Sequence, residues 1–153
     1  MAFICEEADL ENDDVRDLLA AHFAAMRGHS PPEACHVLPP DAFRAPDVTL
    51  FAIRENGTLL GVGALKPLTP DHGEVKSMRT APAALGRRVG SAMLAHLTAE
   101  AHRRGYTRLS LETGSTADFA AALKLYQREG FRSCGPFGDY ADSPFTRFFT
   151  LAL

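Results

Sequence analysis

Three features of this chain carry residue types suited to chemistry. They are Glu74, the arginine-bearing turn Leu85-Gly86-Arg87-Arg88-Val89-Gly90-Ser91, and Tyr126. The turn feeds the start of a long helical pattern, where backbone N–H groups lack internal partners and point outward. Positive charge beside such amides can hold a pyrophosphate. A carboxylate upstream and a phenol downstream then offer a proton acceptor and a proton donor. Together these features point to an enzyme that uses a phosphate-bearing carrier. Each also has a plainer reading. Tyr126 shares the apolar stripe of its helix and can be a core residue with a satisfied hydroxyl. Glu74 can be a solvated strand end, with Glu112 on the neighbouring strand as a competing base. Arg87 and Arg88 can be a solvated pair, although cations at a helix start oppose the macrodipole unless an anion is near.

The elements that must position these residues are legible in the spacing. Phe3 to Glu7 reads as a short strand. Asn12 or Asp13 can cap a helix that carries Val15, Leu18, Leu19, His22, Phe23 and Met26 at helical spacing and stops at Gly28. The proline-rich segment from Ser30-Pro31-Pro32 to Pro39-Pro40 excludes a long regular element, leaving room for a short helical turn at Asp41–Arg44. Two apolar runs, Val48–Arg54 and Thr58–Leu65, flank Glu55-Asn56-Gly57, and Asn-Gly between such runs is a strong hairpin signal. After a turn at Asp71-His72-Gly73, Glu74–Thr80 forms a third strand. Gly86 to about Arg104 is helical, with Val89, Met93, Leu97 and Ala101 on one stripe and Gly105 as the stop. Tyr106–Leu111 is a strand and Ala117–Glu129 a helix. Phe131–Cys134 and Phe145–Leu151 are the last strands, separated by the Gly/Pro/Asp-rich loop Gly135–Pro144. The order predicts an α/β fold of α+β type, a mixed central sheet of about seven strands with helices on both faces, in one domain over residues 1–153.

Composition narrows the function classes. Apolar residues make up 46% of the chain and charged residues 23%, enough for a globular core. A net charge of −3, with no basic run longer than two arginines, argues against a nucleic-acid partner. Cys5, Cys35 and Cys134 are odd in number and widely spaced, as expected of reduced thiols in a cytoplasmic protein. The N-terminus turns acidic at once, and no run approaches the roughly 20 apolar residues of a membrane span, so neither a signal peptide nor a membrane partner is expected. His22, His29 and His36 recur every seven residues, but the prolines break any common face and no metal is expected. Lys76, Arg79, Arg44 and Arg147 offer cations to a substrate carboxylate.

The strand–turn–helix run from Glu74 and the Leu125-Tyr126-(x)3-Gly130-Phe131 ending resemble the GNAT family of acyl-CoA-dependent N-acetyltransferases, and the likeness covers nearly the whole chain. In finer detail the sequence is similar to a subgroup of small bacterial acetyltransferases. That likeness rests on His22-(x)3-Met26 with Ser30-Pro31-Pro32-Glu33, on Glu74-Val75-Lys76-Ser77-Met78-Arg79-Thr80, on Glu112-Thr113-Gly114 and on Pro136-Phe137-Gly138-Asp139-Tyr140. The resemblance implies acetyl-CoA as co-substrate. Its pantetheine arm would pair with the backbone of Met78, Arg79 and Thr80 as an added strand, and its pyrophosphate would sit at Arg87, Arg88, Val89, Gly90 and Ser91. Leu85 and Arg88 depart from the family's turn, where a polar residue and a glycine are usual. Glu74 matches the family's carboxylate base and Tyr126 its phenolic acid, beside the cofactor sulfur. Met26, Ser30, His36, Lys76, Glu112 and Tyr140 would line the acceptor pocket. The implied reaction is direct attack of a small-molecule or amino-acid-like amine on the thioester. A peptide or protein N-terminus is the alternative acceptor, and a non-catalytic acyl-CoA-binding module the alternative function. GNAT proteins often pair, so a homodimer is also an expectation.

Overall fold

A computed structural model of the protein describes residues 2–153. Strand β1 (Ile4–Glu7) is followed by helix α1 (Asp13–His29), two short 3-10 turns, and strands β2 (Thr49–Glu55), β3 (Thr58–Thr69) and β4 (His72–Thr80). Helix α2 (Val89–Arg103), strand β5 (Arg108–Gly114), helix α3 (Ala120–Arg128) and strands β6 (Arg132–Cys134) and β7 (Thr146–Ala152) complete the chain. They form one seven-stranded sheet in the order β1-β2-β3-β4-β5-β7-β6. Its neighbours are antiparallel except β4 and β5, which run parallel, so the sheet is mixed as the sequence implies.

Local chemistry explains most boundaries. Asn56 and Gly57 have φ of 51° and 81°, the paired left-handed residues that a tight β2–β3 turn demands. Helix α1 runs one residue past the expected stop at Gly28. It ends at His29 because Ser30 precedes Pro31, and a residue before proline is steered out of the helical region; Ser30 is extended, with φ −142° and ψ 153°. Helix α2 starts later than the periodicity suggests. Gly86 and Arg88 hold left-handed backbone, φ 79° and 63°, so regular helix begins only at Val89. The segment expected as helix from Ala117 opens with a 3-10 turn over Ala117–Phe119 before α3 proper.

The sheet divides two cores by simple alternation. Leu50, Val62 and Ala64 face α1, under Val15, Leu18 and Leu19. Phe51, Ile53, Val75, Leu109 and Leu111 face the other way, under Met93, Leu97 and Ala101 of α2 and Tyr126 of α3. Among the described residues, no side chain caps the N-terminus of α2. A missing cap costs about 1 kcal/mol. Burial of Met93, Leu94 and Leu97, each about 1.5–3 kcal/mol, outweighs that, so packing holds α2 with its first amides left open.

One irregularity shapes the middle of the sheet. Along the β3–β4 pair, Ala64 faces Lys76 while Val62 faces Arg79, so β4 carries one extra residue there. Ser77 takes φ 56° to absorb it. Such a bulge bends its strand and increases local twist. Pairing of β4 with β5 ends at Val75↔Leu111, although β4 continues to Thr80 and β5 to Gly114. The sheet therefore opens into a gap between these two strands.

The end of β5 is set by close approach. A Cβ on Gly114 would stand 2.0 Å from the Phe119 ring. Gly114→Ala is expected to lower stability by about 1–3 kcal/mol, as overpacking does, measured by denaturant unfolding. An unchanged midpoint would show that the ring moves freely.

Candidate active site

The gap between β4 and β5 widens into a cleft of about 660 Å³. Its β4 wall is Met78, Arg79 and Thr80, its β5 wall Glu112 and Thr113, and its floor Val75 and Met93. Beyond Val75 and Leu111 the backbone groups that each strand would give the other have no strand partner. Parted strand edges of this kind accept an extended guest through main-chain hydrogen bonds.

At one end the cleft meets the start of α2. Arg88, Val89, Gly90 and Ser91 all line it. The uncapped helix N-terminus and the left-handed turn before it direct unpartnered amides at one spot, a geometry suited to phosphate oxygens. Arg128 reaches across from α3, donating to Ser91 Oγ at 2.9 Å, and adds a second guanidinium beside Arg88. Gly90 has a structural reason of its own: a Cβ there would meet Leu125 Cδ2 at 2.8 Å, so it lets α3 approach the first turn of α2.

At the other end lie the titratable groups. Glu74 is buried, at 3% exposure, and its carboxylate accepts from the Tyr140 hydroxyl. Lys76 Nζ donates to the Tyr140 oxygen at 2.6 Å and lies 3.3 Å from Glu74 Oε2, closing a three-membered cluster. Burial first, then the adjacent Glu74 charge, pushes the Tyr140 phenol far up, so it stays a donor. The His36 ring packs edge-on against Tyr140 at 5.0 Å, and burial and then the Lys76 charge hold it below the ordinary imidazole value. Glu112 stands on the facing strand. Burial, opposed by Lys76 and reinforced by Glu74, pushes its carboxyl up to about 7. Tyr126, also buried, is pushed up to about 12 by burial and by the Glu112 charge, so its phenol keeps its proton across the neutral range.

The structure thus brings Glu74, Lys76, Glu112 and Tyr126 to one cleft, with Met26 of α1 and His36 on its rim. Among the described residues, three expected site residues, Arg87, Ser30 and Tyr140, are not in its lining. The Arg87 guanidinium turns away to Glu55, 2.7 Å distant, and over the Phe3 ring. That corrects the expectation for its side chain, because a partly buried carboxylate on β2 outcompetes an open turn. Ser30 sits at the end of α1, and the extended backbone before Pro31 carries it clear. Tyr140 lies behind Glu74 rather than on the cleft surface. Arg128, Asp118 and Phe119 line the cleft but were not singled out by sequence reasoning. The basic last turn of α3 was the available signal for Arg128.

Comparison with known proteins agrees with this architecture. A sequence model of the acetyltransferase (GNAT) family matches residues 12–131. The uncharacterized N-acetyltransferase YedL of Escherichia coli strain K12 is 45% identical over 151 residues, covering 99% of this chain and 95% of that protein. Among solved structures, a Klebsiella pneumoniae protein provisionally classed as an acyl-CoA N-acyltransferase superposes with a TM-score of 0.79 at 28% identity, over 99% of this chain and 97% of that one. A GNAT family acetyltransferase from Elizabethkingia anophelis, solved with acetyl-CoA bound, gives a TM-score of 0.72 at 19% identity, over 99% and 98% of the two chains.

The raised Glu112 carboxyl has a consequence for stability. The folded chain holds this proton up to about pH 7, whereas the unfolded chain releases it near 4.5. The stabilising contribution is therefore complete below about 4.5 and lost as the pH rises towards 7. Between about pH 5 and about pH 8, the native chain is expected to lose on the order of 2–3 kcal/mol that Glu112→Gln does not lose. Urea unfolding of both proteins at the two pH values measures it. Parallel losses would show that Glu112 is not held near neutrality.

Proposed function

Because this chain belongs to the GNAT acetyltransferase family and is an acyl-CoA-dependent N-acetyltransferase, we propose that it acetylates the amine of a small-molecule or amino-acid-like acceptor by direct attack within the β4–β5 cleft. The observation that carries the reading is the pairing of an open strand edge and open helix amides with two carboxylates and a protonated phenol in one cavity. Residues 1–153 act as one domain on this reading, since a single sheet runs from β1 to β7.

The backbone of Met78, Arg79 and Thr80 receives the pantetheine arm. The amides of Val89, Gly90 and Ser91, with the Arg88 and Arg128 guanidiniums, receive the pyrophosphate. Arg87 contributes backbone only, since its side chain is engaged by Glu55. The acceptor enters from the α1 side. Its amine must be neutral to attack, and free amines are mostly protonated at neutral pH. Glu112 suits the base role better than Glu74: its carboxyl lies near 7, whereas Glu74 is already engaged by Tyr140 and Lys76. A base works best when its pKa is near the operating pH. As the C–N bond forms, Glu112 takes the amine proton. As the C–S bond breaks, Tyr126 gives its proton to the departing sulfur. A second reading keeps Glu74 as the base through a water molecule. It is favoured by position, because Glu74 lies opposite Ser110 one pair before the strands part.

Thiol release from acetyl-CoA over a panel of amines tests this function. Glu112→Gln is expected to lower kcat about a hundred- to ten-thousand-fold and to abolish the limb of the pH–rate profile near 7. Tyr126→Phe should slow turnover without weakening the binding of acetyl-CoA. If Glu74→Gln instead removes that limb while Glu112→Gln keeps it, the base is Glu74.

A further inference from the structure

We infer that the acceptor carries a carboxylate as well as its amine, and that the Arg79 guanidinium, on the α1 side of the cleft, reads it. This rests on the cleft being the acetyl-transfer site. The cleft's other charges are mostly answered within the protein. Lys76 is paired with Glu74, and Asp118 faces His29 Nδ1 at 3.3 Å. Arg79 lines the same cavity yet forms no ion pair among the described residues. A partly buried guanidinium without an anion is costly, and its planar fork suits a carboxylate bidentately.

The bulge decides which face Arg79 serves. Alternation along β4 puts Val75 on the α2 face and Glu74 and Lys76 on the other. Three residues beyond Lys76, a regular strand would turn residue 79 toward α2. The extra residue at Ser77 restores it to the face of Lys76, while Met78 packs into the α2-side core. Arg79 is thereby separated from the α2 start, where Arg88 and Arg128 flank the open amides. Its charge is felt instead by His22 of α1, whose ring is pushed down to about 4 by burial and then by Arg79. His22 is 7% exposed, lines the cleft, and its Nδ1 has no hydrogen-bond partner among the described residues. A neutral imidazole with its proton on Nδ1 can donate to the same carboxylate. Met26, Val62 and Phe119 supply apolar lining nearby. The substrate class is therefore amino acids and related aminocarboxylates.

The test compares L-leucine and L-phenylalanine with their α-amides, which keep amine and side chain but lose the negative charge. Thiol release from acetyl-CoA is followed for the native protein, Arg79→Met and Arg79→Lys. The native enzyme is expected to favour each acid over its amide in kcat/KM. Arg79→Met should raise KM for the acids about 10- to 100-fold, the loss of one charge-assisted contact. KM for the amides, which lack the negative charge, should change far less than KM for the acids. Arg79→Lys should recover part of the loss, and melting curves confirm that both variants fold. Equal handling of acid and amide by the native enzyme overturns the inference, as does an Arg79→Met defect common to both. In either case thiol release itself leaves the acetyl-transfer reading standing. An absence of thiol release with every amine, despite calorimetric binding of acetyl-CoA, overturns both.

Discussion

The whole arrangement depends on one strand failing to stay with its neighbour. A parallel pair normally continues as far as both strands do, because each residue lost from it leaves backbone groups unpaired. Here β4 and β5 share only four residue pairs, from His72↔Arg108 to Val75↔Leu111. The extra residue in β4, with Ser77 in left-handed backbone, bends the strand off while β3 keeps its grip on Lys76, Arg79 and Thr80. A non-glycine residue in that conformation costs on the order of 1 kcal/mol or more. Strain of that size persists only where the surroundings hold it, and the β3 pairing does so, with Met78 and Met93 both packed close over Gly63. The gap is thus built into the sheet.

The same bend separates two electrostatic environments. On the α2 side, open amides and the Arg88 and Arg128 guanidiniums gather at a helix start that no side chain caps. On the α1 side, Glu74, Lys76, Glu112 and Arg79 line the same cavity, each at least partly buried. Burial is the main reason that the Glu112 carboxyl is raised, with Lys76 opposing and Glu74 adding to it, and Lys76 makes its direct contact with Glu74. That division of labour follows from contact and burial, without further assumption about the substrate. Burial first, and then the Glu112 charge, likewise holds Tyr126 as a neutral phenol.

Much of the frame was legible because its signals are local. Asn56-Gly57 can hardly be anything but a tight turn, and Gly105 and Gly130 end helices in left-handed backbone as their positions suggest. Glu74 and Tyr126 were marked by residue type and by family likeness, and the fold carries both to the cleft. The features that escaped are those created by distant pairing. Nothing around Ser77 announces a bulge, since it arises from mismatch with β3. Arg87 is drawn off by Glu55, a residue 32 positions earlier. Tyr140 reaches Glu74 across 66 positions from a loop whose composition suggests only a turn. The raised carboxyl of Glu112 is likewise a property of enclosure, which the residue type cannot reveal.

The Tyr140 contact ties these threads together. The loop between β6 and β7 has no regular structure of its own, yet Phe137 and Tyr140 pack on each other and on Phe148 of β7. That aromatic cluster fixes the hydroxyl over Glu74. A hydrogen bond from a neutral donor to a buried carboxylate is worth about 1.5–3 kcal/mol, enough to hold both the loop and the carboxylate in place. Lys76 shares the same oxygen, so its charge is spent on Glu74 and Tyr140. Among the described residues, Arg79 is then left as the cation of the α1-side lining without an ion-pair partner, and the cluster that immobilises one carboxylate thereby leaves the other cation to meet what enters the cleft.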